Sequence, residues 1–369
     1  MLSRTKLRNK INGVIYKSLI KPICFRFDPE KVHNLFIRRG VFLASHETTK
    51  KIISSAYYYG DKSLEQDILG MKIKNPVGLA AGFDKNGELV NILGKIGFGF
   101  AEIGSVTDRR CAGNPGIRLS RLPEKKSLWV HLGLNNEGAM AIYERLKKSK
   151  RDIPIGVSIA KTNCIETADN KIGISDYCSS FKIFSKIADY IVLNISCPNA
   201  YGGEPFTNPE LYDSLLSKVD KLQCEKPIFV KISPDLSKEV LNKIIEISGH
   251  HRVHGFICSN LTKKHNLGKG GLSGMAVKEK SDFLISYIYR KTFGKYIIIG
   301  TGGIFSAEDA YKKIRLGANL VQLITGMIYQ GPNLISEINE GLVQLLRKDG
   351  YRSISEAVGS ANYSDKNKN

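Results

Sequence analysis

A chain of 369 residues with 42% hydrophobic side chains can bury one large core, and its net charge of +20 suits anionic ligands and anionic surfaces. Seven scattered cysteines without a C-x-x-C pair argue against a disulfide framework and against an intrinsic iron–sulfur or zinc site, so no metal is expected and a reducing cytosol is the simplest compartment. No run reaches the about 18–20 apolar residues of a membrane span, and no helix-turn-helix, RNA-recognition or zinc-finger pattern gives the positive charge a nucleic-acid partner.

Residues 1–60 read as a basic, amphipathic, helical extension. The first 26 residues carry Arg4, Lys6, Arg8, Lys10, Lys17, Lys21 and Arg26 and no acid. Ile11, Ile15, Leu19 and Ile23 step by four and form one apolar helical stripe. Such a segment suits an anionic membrane surface; a helix packed on its own domain and a transit presequence are the competing readings. Lys17 and Lys21 interrupt the apolar run, which disfavours a secretory signal. A second helix is expected over about 29–45, with Asp28 as N-cap, Pro29 in the first turn and Glu30 beside it.

From residue 61 to 359, short apolar runs alternate with helical segments. Eight strands are expected near 76–80, 100–104, 154–159, 190–195, 227–232, 254–259, 296–300 and 320–324. This rhythm predicts an α/β fold with a parallel sheet, and a (β/α)8 TIM barrel of roughly 250 residues fits the length. Residues 360–369 are polar and are expected to be a disordered tail.

The chemistry concentrates at the C-terminal ends of the expected strands. After the first, small residues at Ala80, Ala81 and Gly82 let a flat ring approach the backbone, and Lys85 beyond them can meet an anion. After the fourth, Asn194 and Asn199 flank Cys197. Two carboxamides around a thiol can read an amide-containing ring and move a proton; a buried cysteine between turn-forming asparagines is the plainer reading of that stretch alone. Lys231 ends the fifth apolar strand, a costly place for an ammonium unless an anion meets it. Gly302-Gly303 and Thr325-Gly326 follow the last two strands, where backbone amides form the phosphate cradle of such barrels.

These motifs, in this order, resemble the dihydroorotate dehydrogenases over residues 27–359. Asp28-Pro29-Glu30 with His33, the basic arm and the ending Asp349–Gly359 resemble class 2, the quinone-linked, membrane-associated enzymes. Ser196-Cys197-Pro198-Asn199 with Gly202-Gly203-Glu204-Pro205 resembles class 1, where cysteine is the base; class 2 proteins usually have serine at position 197. The resemblance implies oxidation of dihydroorotate to orotate with FMN as cofactor and a quinone as acceptor. A base takes the C5 proton while hydride leaves C6.

By the same resemblance Cys197 is the base, and Lys85, Asn135, Asn194, Asn199 and Asn260 contact the substrate. FMN contacts fall on Ala80, Ala81, Gly82, Lys85, Ser105, Ser158, Asn194, Lys231, Ser259, Gly274, Gly302, Gly303, Thr325 and Gly326. Arg118 is placed at the quinone edge of the flavin, and the N-terminal arm at a membrane surface, on the cytoplasmic face of a bacterial inner membrane or on an organelle membrane. Val130 and Leu261 depart from the pattern by replacing an Asn and a Thr that usually touch substrate, with Asn136 and His131 as nearby substitute donors; Ile324 replaces a Tyr, and Ser158 an Asn. The departures keep open a related FMN dehydrogenase for a less polar cyclic substrate. A flavin electron carrier without turnover is the reading from another class, and an arrangement with a partner subunit carrying FAD and an iron–sulfur cluster ranks below quinone because of the arm.

Overall fold

The computed structural model describes residues 4–197 and 200–362. Eight parallel strands close a barrel: β1 (Val77–Leu79), β2 (Phe100–Val106), β3 (Ile155–Ile159), β4 (Tyr190–Asn194), β5 (Ile228–Ile232), β6 (Gly255–Cys258), β7 (Ile297–Thr301) and β8 (Leu320–Leu323). Each strand pairs with its sequence neighbours, and β8 returns to β1. Helices follow the strands and cover the outside. Both faces of the sheet are therefore buried, which is why the strands read as continuous apolar runs rather than as alternating ones.

The two-residue period still matters inside the barrel. Phe100, Tyr190, Phe229, Ile299 and Leu320 form a buried apolar layer, which Ile68 and Ile73 of a short hairpin close from below. A Cβ on Gly156 would stand 2.0 Å from the Tyr190 ring, so β3 needs a glycine there. Two residues further along their strands come Glu102, Val192, Lys231 and Gln322, and beyond them Gly104 and Asn194 at the mouth. The site is thus the continuation of the barrel interior at the C-terminal strand ends.

The N-terminal residues form four helices. α1 (Arg4–Ile15) runs through a π-helical stretch, Tyr16–Ile20, into α2 (Lys21–Phe25). α3 (Pro29–Ala44) starts where the capping pattern predicts, with Asp28 accepting from the Lys31 amide at 2.8 Å, and α4 (Glu47–Tyr57) follows. α1 docks by its small and polar face. Asn9 and Gly13 are buried; Arg8 donates to the carbonyls of Ser55 and Tyr58, and Tyr16 Oη donates to the Ile328 carbonyl at 2.7 Å. The apolar stripe points away from the protein: Leu7, Ile11, Val14, Ile15, Leu19 and Ile23 remain 47–59% exposed. No helix among the described residues is long and apolar enough to cross a bilayer.

A three-stranded antiparallel sheet, Leu119–Leu122, Ser127–Val130 and Gly271–Leu272, covers part of the barrel mouth. At the other end of the chain, Ser360–Asn362 make a short 3-10 turn in which Asn362 donates to the Leu316 carbonyl and accepts from Ser286; residues 363–369 of the expected tail lie outside the described residues.

One surface cluster carries a pH prediction. His251 sits between Asp220 (2.7 Å, Nδ1) and Asp213 (3.0 Å, Nε2). Burial of the ring opposes its charge, but the two carboxylates outweigh it and hold the imidazole above its ordinary pKa. A raised folded-state pKa gives stability that is complete below about pH 6.5 and fades as pH rises through the folded value. His251→Gln is expected to lower the melting temperature more at pH 6 than at pH 9. Equal losses at both pH values would remove the charge from the explanation.

Candidate active site

Two cavities meet at the barrel mouth, and a third lies beside them under the N-terminal helices. The first, about 180 Å³, is walled by Ala81, Gly82, Lys85, Ser105, Asn135 and Asn194, and also by Cys197, Lys231 and Asn260. The second, about 80 Å³, continues from it towards Ala80, Ser259, Gly274, Gly302, Gly303 and Gly326. Ala81, Lys231, Asn260 and Thr325 belong to both. The fold thus brings these expected residues around one continuous, elongated space.

The narrow end suits an anion. Gly302 and Gly303 have φ of 110° and 71°, and their amides donate to no group among the described residues. Free amides after β7 fit a phosphate, and the broader first cavity fits a flat ring, so the space matches a flavin mononucleotide in shape and chemistry.

The polar wall is one connected network. Asn194 Nδ2 donates to Ser105 Oγ at 2.8 Å, and Asn260 Nδ2 donates to Asn194 Oδ1 at 3.2 Å and to the Ser196 carbonyl at 2.8 Å. Ser196, fully buried, also donates to the Lys231 carbonyl at 2.8 Å. These bonds fix the amide orientations before a ligand arrives.

Lys85 is prepared differently. Its ammonium makes no hydrogen bond or ion pair with the described residues, and burial pulls its pKa down to about 8. The preceding Asp84 anchors the loop by accepting from the Glu88 and Leu89 amides at 2.8 Å each, and burial pushes its carboxyl up to about 6. An ammonium in a cavity with Glu30 and Glu88 acting on it only through space, and no carboxylate among the described residues in direct contact, is a receptor for an anionic ligand.

Several expectations need correction. Ser158 does not line the cavity. It is buried behind Ser105, its hydroxyl 2.9 Å from Ser105 Oγ, because serine is too short to reach past its neighbour. Arg118 lines none of the cavities either. Its guanidinium grips Glu30, with Nε–Oε2 at 2.8 Å and Nη2–Oε1 at 2.6 Å, and this pairing lowers the Glu30 pKa. Asn136 cannot replace the missing donor at position 130, since its amide is spent on Thr107 Oγ1 and the Leu134 carbonyl. Val130, Leu261 and Ile324 do lie on the cavity wall. Asn199 falls outside the described residues.

The third cavity, about 340 Å³ and mostly apolar, runs between α3, α4 and the barrel, among Phe36, Leu43, Ile53, Leu93 and Met327. Two arginines line it, Arg39 and Arg121; the Arg121 guanidinium lies 4.7 Å from the Phe25 ring centroid and donates to the Phe27 carbonyl at 2.8 Å. His33 and Phe83, in edge-to-face contact at 5.0 Å, border both this cavity and the first one. Burial, helped by the charge of Lys85, pushes the His33 pKa down to about 4, so its imidazole is neutral. The sequence reading did not single out Arg121, Glu102, Gln322 or Ser196. Glu102 and Gln322 are polar residues inside otherwise apolar barrel strands, which is the signal that could have found them; Arg121 and Ser196 carry no such mark.

Known proteins give this geometry its family. The dihydroorotate dehydrogenase family profile matches residues 63–346. A Trichodesmium erythraeum protein named dihydroorotate dehydrogenase (quinone) is 36% identical over 94% of this chain and 99% of its own length. A Sulfurovum protein of the same name is 40% identical over 92% and 97%. The crystal structure of ligand-free DHODH from Eimeria tenella superposes with a TM-score of 0.78 at 29% identity, covering 91% of this chain and all of that one. With a profile match over the whole barrel and relatives aligned nearly end to end, the chain belongs to the dihydroorotate dehydrogenase family.

Proposed function

We propose that this protein oxidises dihydroorotate to orotate on bound FMN and passes the electrons to a quinone. The observation that carries the reading is the junction at His33 and Phe83. There, a polar cavity with a proton acceptor and an anion receptor adjoins an apolar cavity under the N-terminal helices. Family membership implies a flavin, and the free amides at Gly302 and Gly303 support the mononucleotide form.

Bound FMN supplies the acceptor for the hydride. The chain supplies the rest. Lys85 holds the substrate carboxylate, and Asn194 and Asn260, already oriented by Ser105 and Ser196, read the ring amides. Cys197 Sγ takes the C5 proton; Asn135 and Asn199 complete the substrate contacts. Val130 and Leu261 offer the ring no hydrogen bond, which costs affinity of about 1–3 kcal/mol for each buried polar group left unpaired.

The apolar cavity admits the quinone, with Arg39, Arg121 and His33 among the polar groups at its walls. The outward apolar stripe of α1 and α2, flanked by lysines and arginines, suits an anionic membrane surface, and this supports a quinone supplied from the membrane. Phe27 before α3, Phe42 on α3 and Ile52 on α4 are also exposed apolar side chains, at 60–62%.

Anaerobic mixing of the flavoprotein with L-dihydroorotate tests the reading. The yellow of the oxidised flavin is expected to fade, and a soluble quinone to restore it. A flavin that dithionite bleaches and dihydroorotate does not would overturn the substrate assignment.

A further inference from the structure

Lys231 faces the space where the two cavities join, yet it does not face it as a free cation. Its ammonium lies 3.4 Å from Glu102 Oε1 inside the barrel. Glu102, on β2, is fully buried, and Lys231, on β5, is 4% exposed. The other carboxylate oxygen accepts from Gln322 Nε2 at 2.9 Å, and Gln322 Oε1 accepts from Thr301 Oγ1 at 3.3 Å. Three barrel strands, β2, β7 and β8, therefore build a support for one ammonium on a fourth.

Such a support is not needed for packing. The layer below it is apolar, and replacing an ion pair by well-packed apolar residues often costs a fold nothing. What the pair does is set the charge at the seam between the flat end and the anionic end of the ligand space. A bare ammonium there would favour whatever form of the ligand carries more negative charge. A carboxylate directly behind it removes part of that preference.

We propose that Glu102 is a positioning residue that sets the reduction potential of the bound flavin by holding Lys231 against the ring and offsetting its charge. This rests on the flavin reading above. Reduction brings two electrons and one proton as hydride from the substrate, so the ring gains negative charge next to Lys231. The same electrons must then leave for the quinone. With Lys231 uncompensated, the reduced state is held more tightly and gives up its electrons more slowly. Glu102 keeps the potential between donor and acceptor.

The test is the midpoint potential of wild-type, Glu102→Gln and Glu102→Asp holoproteins, measured by anaerobic equilibration with redox dyes after flavin content is quantified. Glu102→Gln keeps the shape and removes the charge. It is expected to favour the reduced flavin by about tenfold, a rise of about 30 mV for a two-electron couple. Glu102→Asp keeps the charge but withdraws it from Lys231, and a smaller rise is expected. If the glutamine variant does not fold, the aspartate variant still tests the sign. Re-oxidation by a soluble quinone is expected to slow in step with the potential.

A carboxylate with a purely structural role would lower the melting temperature and leave the potential in place. A potential that stays or falls in a flavin-replete variant overturns the inference and leaves the functional reading standing. A wild-type protein that binds no flavin overturns both.

Discussion

Cys197→Ala is expected to retain flavin and to lose reduction by dihydroorotate by a factor of about 10²–10⁴, the usual contribution of a positioned proton acceptor. The thiol borders the first cavity together with Asn194 and Asn260, so it shares a wall with the groups that orient the substrate ring. Among the described residues of that wall, His33 is the other neutral base, and it stands where the wall meets the apolar cavity. Lys85 is a donor while charged, and Asn135 and Asn260 are amides. Binding of the product orotate should survive the substitution, because its contacts lie elsewhere, and this separates loss of the base from loss of the site. Single-turnover bleaching at a wild-type rate in the alanine variant would reject the assignment.

Cys197→Ser makes the same point by degree. A thiol has an ordinary pKa of about 8.5, so a useful fraction is thiolate near neutral pH, whereas a serine hydroxyl needs help to accept a proton. The serine variant is expected to fall between wild type and alanine. A serine variant as fast as wild type at pH 7 would mean that proton removal does not limit the reaction.

The residues that carried the most information in the sequence were those whose role is local. The eight strands were legible because a parallel strand buried on both faces is one apolar run, and Asp28-Pro29-Glu30 marked the start of α3 because capping acts within one turn. Pairing across the barrel was not legible. Lys231 announced that it needed an anion, but Glu102 lies 129 residues earlier in the chain, and nothing in either stretch names the other. The antiparallel cover over the mouth joins Ser127–Val130 to Gly271–Leu272, again without a local signal.

Arg118 and Arg121 show how fine the distinction becomes. They are three residues apart around an extended segment, and an odd separation puts them on opposite faces. Leu119 and Arg121 share the face on the apolar cavity, and Arg118 turns to Glu30. The face by which α1 docks was equally hidden. The helical stripe was plain, but that Asn9 and Gly13 are the contact side follows only from what they meet.

Lys85→Met is expected to raise the KM for dihydroorotate about 30-fold to several thousand-fold, since truncating one partner of a buried charge pair costs about 2–5 kcal/mol. Its effect on kcat should be smaller, because the ammonium contacts the carboxylate rather than the carbons that react. The wild-type protein should reveal the same residue through pH. Burial lowers the Lys85 pKa to about 8, so in the free protein the ammonium is present below that value and is lost as pH rises through it. Substrate affinity, and hence kcat/KM, should fall about tenfold per pH unit above about pH 8, where the lysine must first take up a proton to bind the carboxylate.

Once the carboxylate is bound, it stabilises the ammonium, and kcat should not show that limb. The fall of kcat/KM then reports Lys85. In Lys85→Met the alkaline fall of kcat/KM should vanish. A fall that persists in that variant would move the group responsible to another residue, and a KM unchanged at pH 7 would take Lys85 out of the substrate site.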